Sequence, residues 1–197
     1  MQQQNQLIAT LEVFIKKFYK NQIVKGLAII IAILLPLFLL FVALEFKGHF
    51  STLTRTVLFY GFVLFSIFVA LKFIVAPLIK LYGLSKKRLK HAEAAQIIGT
   101  HFSEIKDKLL NTMQLSANLQ DSSNDLLLAS VNQKMEEMKP FNFSKAINTQ
   151  ASKRMMKYAL MAVLLLFLVF TFQSNVIFEG SNRLLKYNTE FVQKAPF

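Results

Sequence analysis

Cysteine is missing from the chain altogether, which excludes a disulfide framework, a thiolate-bound zinc and a thiol nucleophile. Tryptophan is missing too, and acidic residues are scarce, 11 against 23 Lys and Arg. There is no Walker loop, no Gly-x-Ser-x-Gly elbow, no His-Glu-x-x-His pair and no dinucleotide fingerprint. Apolar residues, by contrast, make up 54% of the 197 positions, with 20 Phe among them. A soluble domain of this size rarely carries so many bulky apolar residues in unbroken runs. The formal net charge of +12 at pH 7 would suit nucleic acid. The cations, however, border the apolar runs and form no separate basic domain, so they read as membrane-orienting and no nucleic-acid partner is expected.

The organising stretch is Leu81–Lys90, where Lys86, Lys87, Arg88 and Lys90 follow directly on a long apolar segment. Carrying such a cluster outward across hydrocarbon is unfavourable, so it marks the inner side. Residues 1–25 predict an amphipathic, basic helix on the cytoplasmic face. Leu7, Leu11, Phe14 and Phe18 form an apolar stripe, and Lys16, Lys17, Lys20 and Lys25 are its cationic counterpart. Such a helix lies in the headgroup layer or packs on the rest of the protein.

Residues 26–79 predict a transmembrane hairpin with spans 26–44 and 56–79, since roughly 20 apolar residues cross the hydrocarbon core. Pro36 is expected to kink the first span. A cleaved signal peptide is not expected, because the preceding region is long, contains Glu12 and leads to no small-x-small site. In the connection 45–55, Gly48 marks a turn and Ser51 or Thr52 is placed to cap the next helix. Lys72 is the one charge of the second span. It reads as a snorkelling side chain in preference to a member of an ion pathway, and Pro77 falls near the exit.

Residues 80–157 form the one substantial water-facing part, a cytoplasmic helical hairpin or small bundle. His91–His101 reads as a helix, and Ser103 as the cap of a second one on which Ile105, Leu109 and Met113 share a face. Asp121–Asn124 reads as a turn. Leu127, Val131, Met135 and Met138 mark a further amphipathic helix ended by Pro140. Ile105, Leu109, Met113, Leu127, Val131 and Met135 are therefore the candidate partner or hairpin face. Ser144 is a candidate cap on the way back to the bilayer. Lys153, Arg154 and Lys157 border a third span, 158–178. The tail 179–197 lies outside, with Leu184, Tyr187 and Phe191 as a short apolar stripe. Seventeen cations fall in the segments assigned inside and five in those assigned outside. This predicts an all-α, three-span integral membrane protein with its N-terminus in and its C-terminus out.

His101, Glu104 and Asp107, spaced by three, are the nearest approach to a metal constellation. A closed site needs further ligands, and a solvated helix face with a Glu104–Lys108 pair accounts for them as well. His49 and His91 have no companions at metal spacing. No catalytic residue, cofactor or metal is expected. The spans also lack the polar stripe or broken helices usual near the midplane of a transporter.

Three stretches are familiar together: Phe18–Gly26, Phe50–Tyr60 and, most specifically, Glu93–Gln114, read Glu-Ala-Ala-Gln-Ile-Ile-Gly-Thr-His-Phe-Ser-Glu-Ile-Lys-Asp-Lys-Leu-Leu-Asn-Thr-Met-Gln. They resemble the N-terminal part of a large bacterial inner-membrane protein family, common in Bacteroidetes and catalogued as a domain of unknown function. The resemblance spans nearly the whole chain. It implies longer members with a β-rich, periplasmic part after the last span, so that this chain, stopping at Ala195-Pro196-Phe197, is expected to be a fragment or a truncated member. It brings no established activity. The expected function is a membrane anchor or scaffold, not an enzyme, whose partners are the lipid bilayer and other membrane or periplasmic proteins. The alternative is a subunit of an oligomeric channel or transporter.

Overall fold

The computed structural model describes residues 2–118, 125–138, 140–189 and 191. Among them there is no strand, and the chain is all-α. The helices are α1 (Gln2–Gly48), α2 (Thr52–Ala70), α3 (Ala76–Leu81), α4 (His91–His101), α5 (Lys106–Asn118), α6 (Asp125–Met138), α7 (Gln150–Phe172) and α8 (Ser174–Leu185). A π-helical turn, Leu71–Val75, joins α2 to α3, and 3-10 turns lie at Ser103–Ile105 and Phe143–Ala146. Three helical stretches are long and apolar enough to cross a membrane: Leu7–Gly48, Thr52–Leu81 and Gln150–Phe172. Contacts divide the chain into two compact units, one of residues 1–22 and 77–149, the other of 23–76 and 150–197.

The first unit is built around the apolar stripe at the start of α1. Leu7, Leu11, Phe14, Ile15 and Tyr19 are buried together with Ala94, Ala95 and Ile98 of α4, Ile105, Leu109, Met138, Phe143 and Ile147. The stripe is thus covered by protein, which corrects the simpler expectation of a helix lying in the headgroup layer and favours the other one, packing on the rest of the protein. A face of this width needs a partner to exclude water, and Ala94, Ala95 and Ile98 of α4 are among the residues buried with it. α4 starts where the Glu93 carboxylate accepts the Lys90 backbone N–H at 2.9 Å, half of a capping box. Upstream, Gly83 closes α3 at φ +76°. The Leu84 N–H reaches back to the Ile79 carbonyl at 3.1 Å, the left-handed stop that glycine tolerates best.

Two expected caps differ. Ser103 lies inside a 3-10 turn whose N-cap position is Phe102, with no side-chain capping bond. Ser144 sits in the second 3-10 turn, where Asn142 caps by accepting the Ser144 N–H at 3.1 Å, and the next α-helix begins only at Gln150. The expected turn Asp121–Asn124 lies outside the described residues, as do the side chains of Leu127, Val131 and Met135.

The second unit has little interior. Ala28, Leu39, Val42, Val69, Ala159, Ala162 and Leu184 are buried, while Leu53, Val57, Leu64, Phe68, Leu160, Met161 and Phe167 are all well exposed. Apolar surface on this scale calls for an apolar surrounding. α1 has 47 residues, about 70 Å at 1.5 Å per residue, against a hydrocarbon core of roughly 30 Å. The helix is longer than one crossing needs, and 26–44 is its uncharged run.

Ser51 caps α2 as expected, accepting the Thr54 N–H. Pro77 cannot donate to a carbonyl one turn back, and its ring crowds that carbonyl. The widened π-turn just before it relieves the crowding, with the Ala76 N–H bonded to the Leu71 carbonyl. Gly26 packs against this turn so closely that a Cβ would stand 2.0 Å from the Phe73 carbonyl oxygen. The expected third span 158–178 is interrupted. α7 ends at Phe172, Gln173 adopts φ −140°, ψ 52°, and α8 starts at Ser174. Gln-Ser-Asn offers side-chain hydrogen bonds that compete with the helix.

Candidate functional site

Where α1 turns into α2, the second unit buries an ion pair. Glu45 closes the apolar run of α1 and Arg55 opens the charged edge of α2; both side chains are at most 5% exposed, with Arg55 Nε 3.4 Å from Glu45 Oε1. The same Nε donates to the Phe50 carbonyl at 2.9 Å, and Nη1 donates to the Thr189 carbonyl at 2.9 Å. Among the described residues, neither Glu45 carboxylate oxygen meets a donor in full hydrogen-bond geometry.

Around the pair, the Arg55 guanidinium lies 5.0 Å from the centre of the Phe191 ring, and that of Arg183 lies 5.5 Å from it. Arg183 also bonds His49 Nδ1. His49 takes a positive φ of 43° as the chain leaves α1, a conformation unusual for a residue with a Cβ. Tyr187 stacks on Phe59 at 4.8 Å and shares a 3.0 Å hydrogen bond with Tyr60. Gly180 brings α8 so near α1 that a Cβ would meet the Val42 carbonyl oxygen at 2.5 Å.

Chemically this cluster is a clasp. Among the described residues, Arg55 is matched to Glu45 and to two backbone carbonyls, and Arg183 to the His49 and Phe191 rings. The clasp fixes the segment after α8 onto the α1–α2 turn. The residues were visible as opposite charges at the two ends of a short connection. What the sequence did not show is that Arg183, Thr189 and Phe191 return to the same place.

The first unit holds the other polar contacts. Glu12 accepts from Arg88 Nη2 at 2.6 Å and pairs with His91 Nε2 at 2.8 Å. The Tyr19 hydroxyl accepts the Leu89 N–H at 2.8 Å. Lys17 donates to Ser144 Oγ at 2.9 Å. Of the expected orienting cations, Lys16, Lys17, Lys20, Lys86, Lys87 and Lys90 are exposed, while Arg88 is half-buried against Glu12. In the second unit Lys25 is half-exposed, and Lys153, Arg154 and Lys157 are exposed.

Of the candidate partner face, Ile105 and Leu109 are buried in the core of the first unit and Met113 packs against it. α5 packs on both α4 and α6. The row His101, Glu104, Asp107 does not share a helix, because the chain breaks at Phe102 and the three fall on α4, a 3-10 turn and α5. Among the described residues no three His, Asp or Glu side chains converge as a metal site would require. Lys108 pairs with Glu137 of α6 at 2.7 Å, and not with Glu104. The Lys108 ammonium, hydrogen-bonded to it, holds the Glu137 carboxyl below the usual carboxylate range.

Comparison of the chain with family models, with curated proteins and with solved structures returned no match.

Proposed function

We propose that the chain is an anchor or scaffold of the bacterial inner (cytoplasmic) membrane, with the N-terminus inside and the C-terminus outside. In this reading it is the membrane region of a longer protein of the family its three stretches resemble, whose outer part is periplasmic. The first unit is the cytoplasmic contact, and the partners are the bilayer and other membrane or periplasmic proteins. The observation that carries the reading is the use of charge in the second unit. Glu45 and Arg55, its buried charged side chains, are turned on each other, and Lys72 is exposed on the outside of its helix. A solute path would instead be lined with polar groups facing a shared interior. The cationic borders account for the orientation.

One observation favours the channel or transporter reading: Lys72 sits on the π-helical turn, a geometry that recurs at functional sites. Two measurements test the proposal. A reporter active only outside the membrane is silent when fused near Ser122 and active when fused after Phe197; the reverse pattern rejects the orientation. Purified protein in sealed liposomes passes neither ions nor small solutes. Flux that disappears in Lys72→Leu replaces the anchor reading with the channel one.

A further inference from the structure

The second unit carries an apolar groove of about 490 Å³ between α1 and α7, within the roughly 300–1,000 Å³ common for small-ligand sites. Its floor is Ala28 and Ala159, both buried. Its walls include Leu27, Ile31, Leu160 and Val163, and Lys157 is the one charged side chain among the residues that line it. The lining runs from Val24 to Ile31 on α1 and from Met156 to Val163 on α7. That is two turns on each helix, about 10 Å, or most of one leaflet's share of a roughly 30 Å hydrocarbon core.

Charge is distributed unevenly along this groove. On both helices the cations stand at the N-terminal end of the lining, Lys25 beside Val24, and Lys153, Arg154 and Lys157 around Met156. No Asp or Glu occurs at 13–44 or at 138–178, so neither helix offers a carboxylate nearby to neutralise them. Two small residues, Ala28 and Ala159, lie among the larger apolar side chains of the lining, and the cations stand at one end of it. Basic pockets of this kind between membrane helices select anionic headgroups.

We infer that the α1–α7 groove binds one anionic diacyl phospholipid of the surrounding bilayer, an acyl chain lying over Ala28 and Ala159 and the phosphate held by Lys157 with Lys25. A zwitterionic lipid fills the groove equally well, but its own ammonium offsets the attraction, so discrimination rests on the cations.

The absence of tryptophan makes the test direct. Leu160→Trp, on the groove wall, and Leu64→Trp, on the exposed face of α2, each give a single fluorophore. Both are reconstituted into vesicles containing a small fraction of brominated phosphatidylglycerol or brominated phosphatidylcholine of the same chains. The site requires several-fold stronger quenching by phosphatidylglycerol at Leu160→Trp, equal quenching by the two lipids at Leu64→Trp, and loss of the preference when Lys25→Gln and Lys157→Gln are added. Equal quenching at Leu160→Trp, the same preference at both positions, or a preference that survives the two Lys substitutions overturns the inference. The inference rests on these helices lying in a bilayer. If they do not, neither fluorophore is quenched by either lipid, which separates that failure from the absence of a lipid site.

Discussion

Arg88 donates from Nη2 to Glu12 Oε2 at 2.6 Å, joining positions 76 residues apart. One cation of the cluster at Lys86, Lys87, Arg88 and Lys90 is therefore a fastening of the first unit. Glu12 receives His91 as well, so its removal leaves two partners unmatched. Both carboxylate and guanidinium are about a quarter exposed, so solvent screening limits the gain to about 1 kcal/mol. Glu12→Gln and Arg88→Gln each lower the thermal midpoint of the first unit by a few degrees. The double variant is less damaging than the sum, as a coupled pair requires. Strict additivity rules out the coupling.

Leu109 is fully buried in the core of the first unit. Leu109→Asp places an unpaired carboxylate there, at a cost of several kcal/mol, roughly 3 or more. Backbone amides of α4 and α5 lose protection from hydrogen exchange, while those of α2 and α7 keep theirs. Retained protection in α4 and α5 shows that the core does not depend on this position.

For the buried clasp, one partner without the other is worse than neither. Arg55→Met leaves Glu45 buried and unmatched, which costs about 3–5 kcal/mol, whereas replacing both by apolar residues of similar volume is close to neutral. Unfolding in mild detergent follows the order wild type, then Glu45→Leu with Arg55→Met, then Arg55→Met alone as the least stable. In Arg55→Met the bond to Thr189 is lost, and the bond after Tyr187 becomes readily cut by chymotrypsin. A double variant as unstable as Arg55→Met shows that burial of the pair is not the deciding term.

Gly26 and Gly61 are both helical glycines in apolar surroundings, with opposite expectations. A Cβ at Gly26 collides with the Phe73 backbone, whereas one at Gly61 meets nothing within 4 Å. Gly26→Ala therefore forces α1 away from the π-turn and costs about 1–3 kcal/mol. Gly61→Ala is neutral or slightly stabilising, since alanine is the better helix former. Thermal unfolding in detergent separates the two. Equal midpoints show that α1 yields without loss.

Most of the all-α architecture, with its three long apolar helical stretches, was legible because it depends on local, additive quantities. Uncharged runs long enough to cross hydrocarbon are visible one residue at a time, and so are the cations that flank them. His91–His101 was legible because good helix formers run from Ala92 to Ile98 and outweigh the single Gly99, and Glu93 stands where it can accept the Lys90 N–H. Ser51 and Thr52 were both legible as candidate caps, and Ser51 is the one that caps α2.

Other features belong to the tertiary structure alone. The stripe of Leu7, Leu11 and Phe14 required a cover, and its basic flank pointed to the headgroup layer first, but the hydrophobic effect has no direction and a protein face satisfies it as well. Only the packing of Ala94, Ala95 and Ile98 against the stripe decides between them. The break at Gln173 was not legible because its polar neighbours compete with the helix only by a little, and packing settles the balance. The clasp depended on the fold most of all. Its members come from 45–55 and from 183–191, and a pairing between charges so far apart in sequence exists only when the chain between them has folded. The sequence by itself determined which segments shun water and which charges border them. Tertiary structure decided which apolar face meets which, because packing contacts and buried ion pairs are short-ranged and form only between groups the fold brings within a few ångströms.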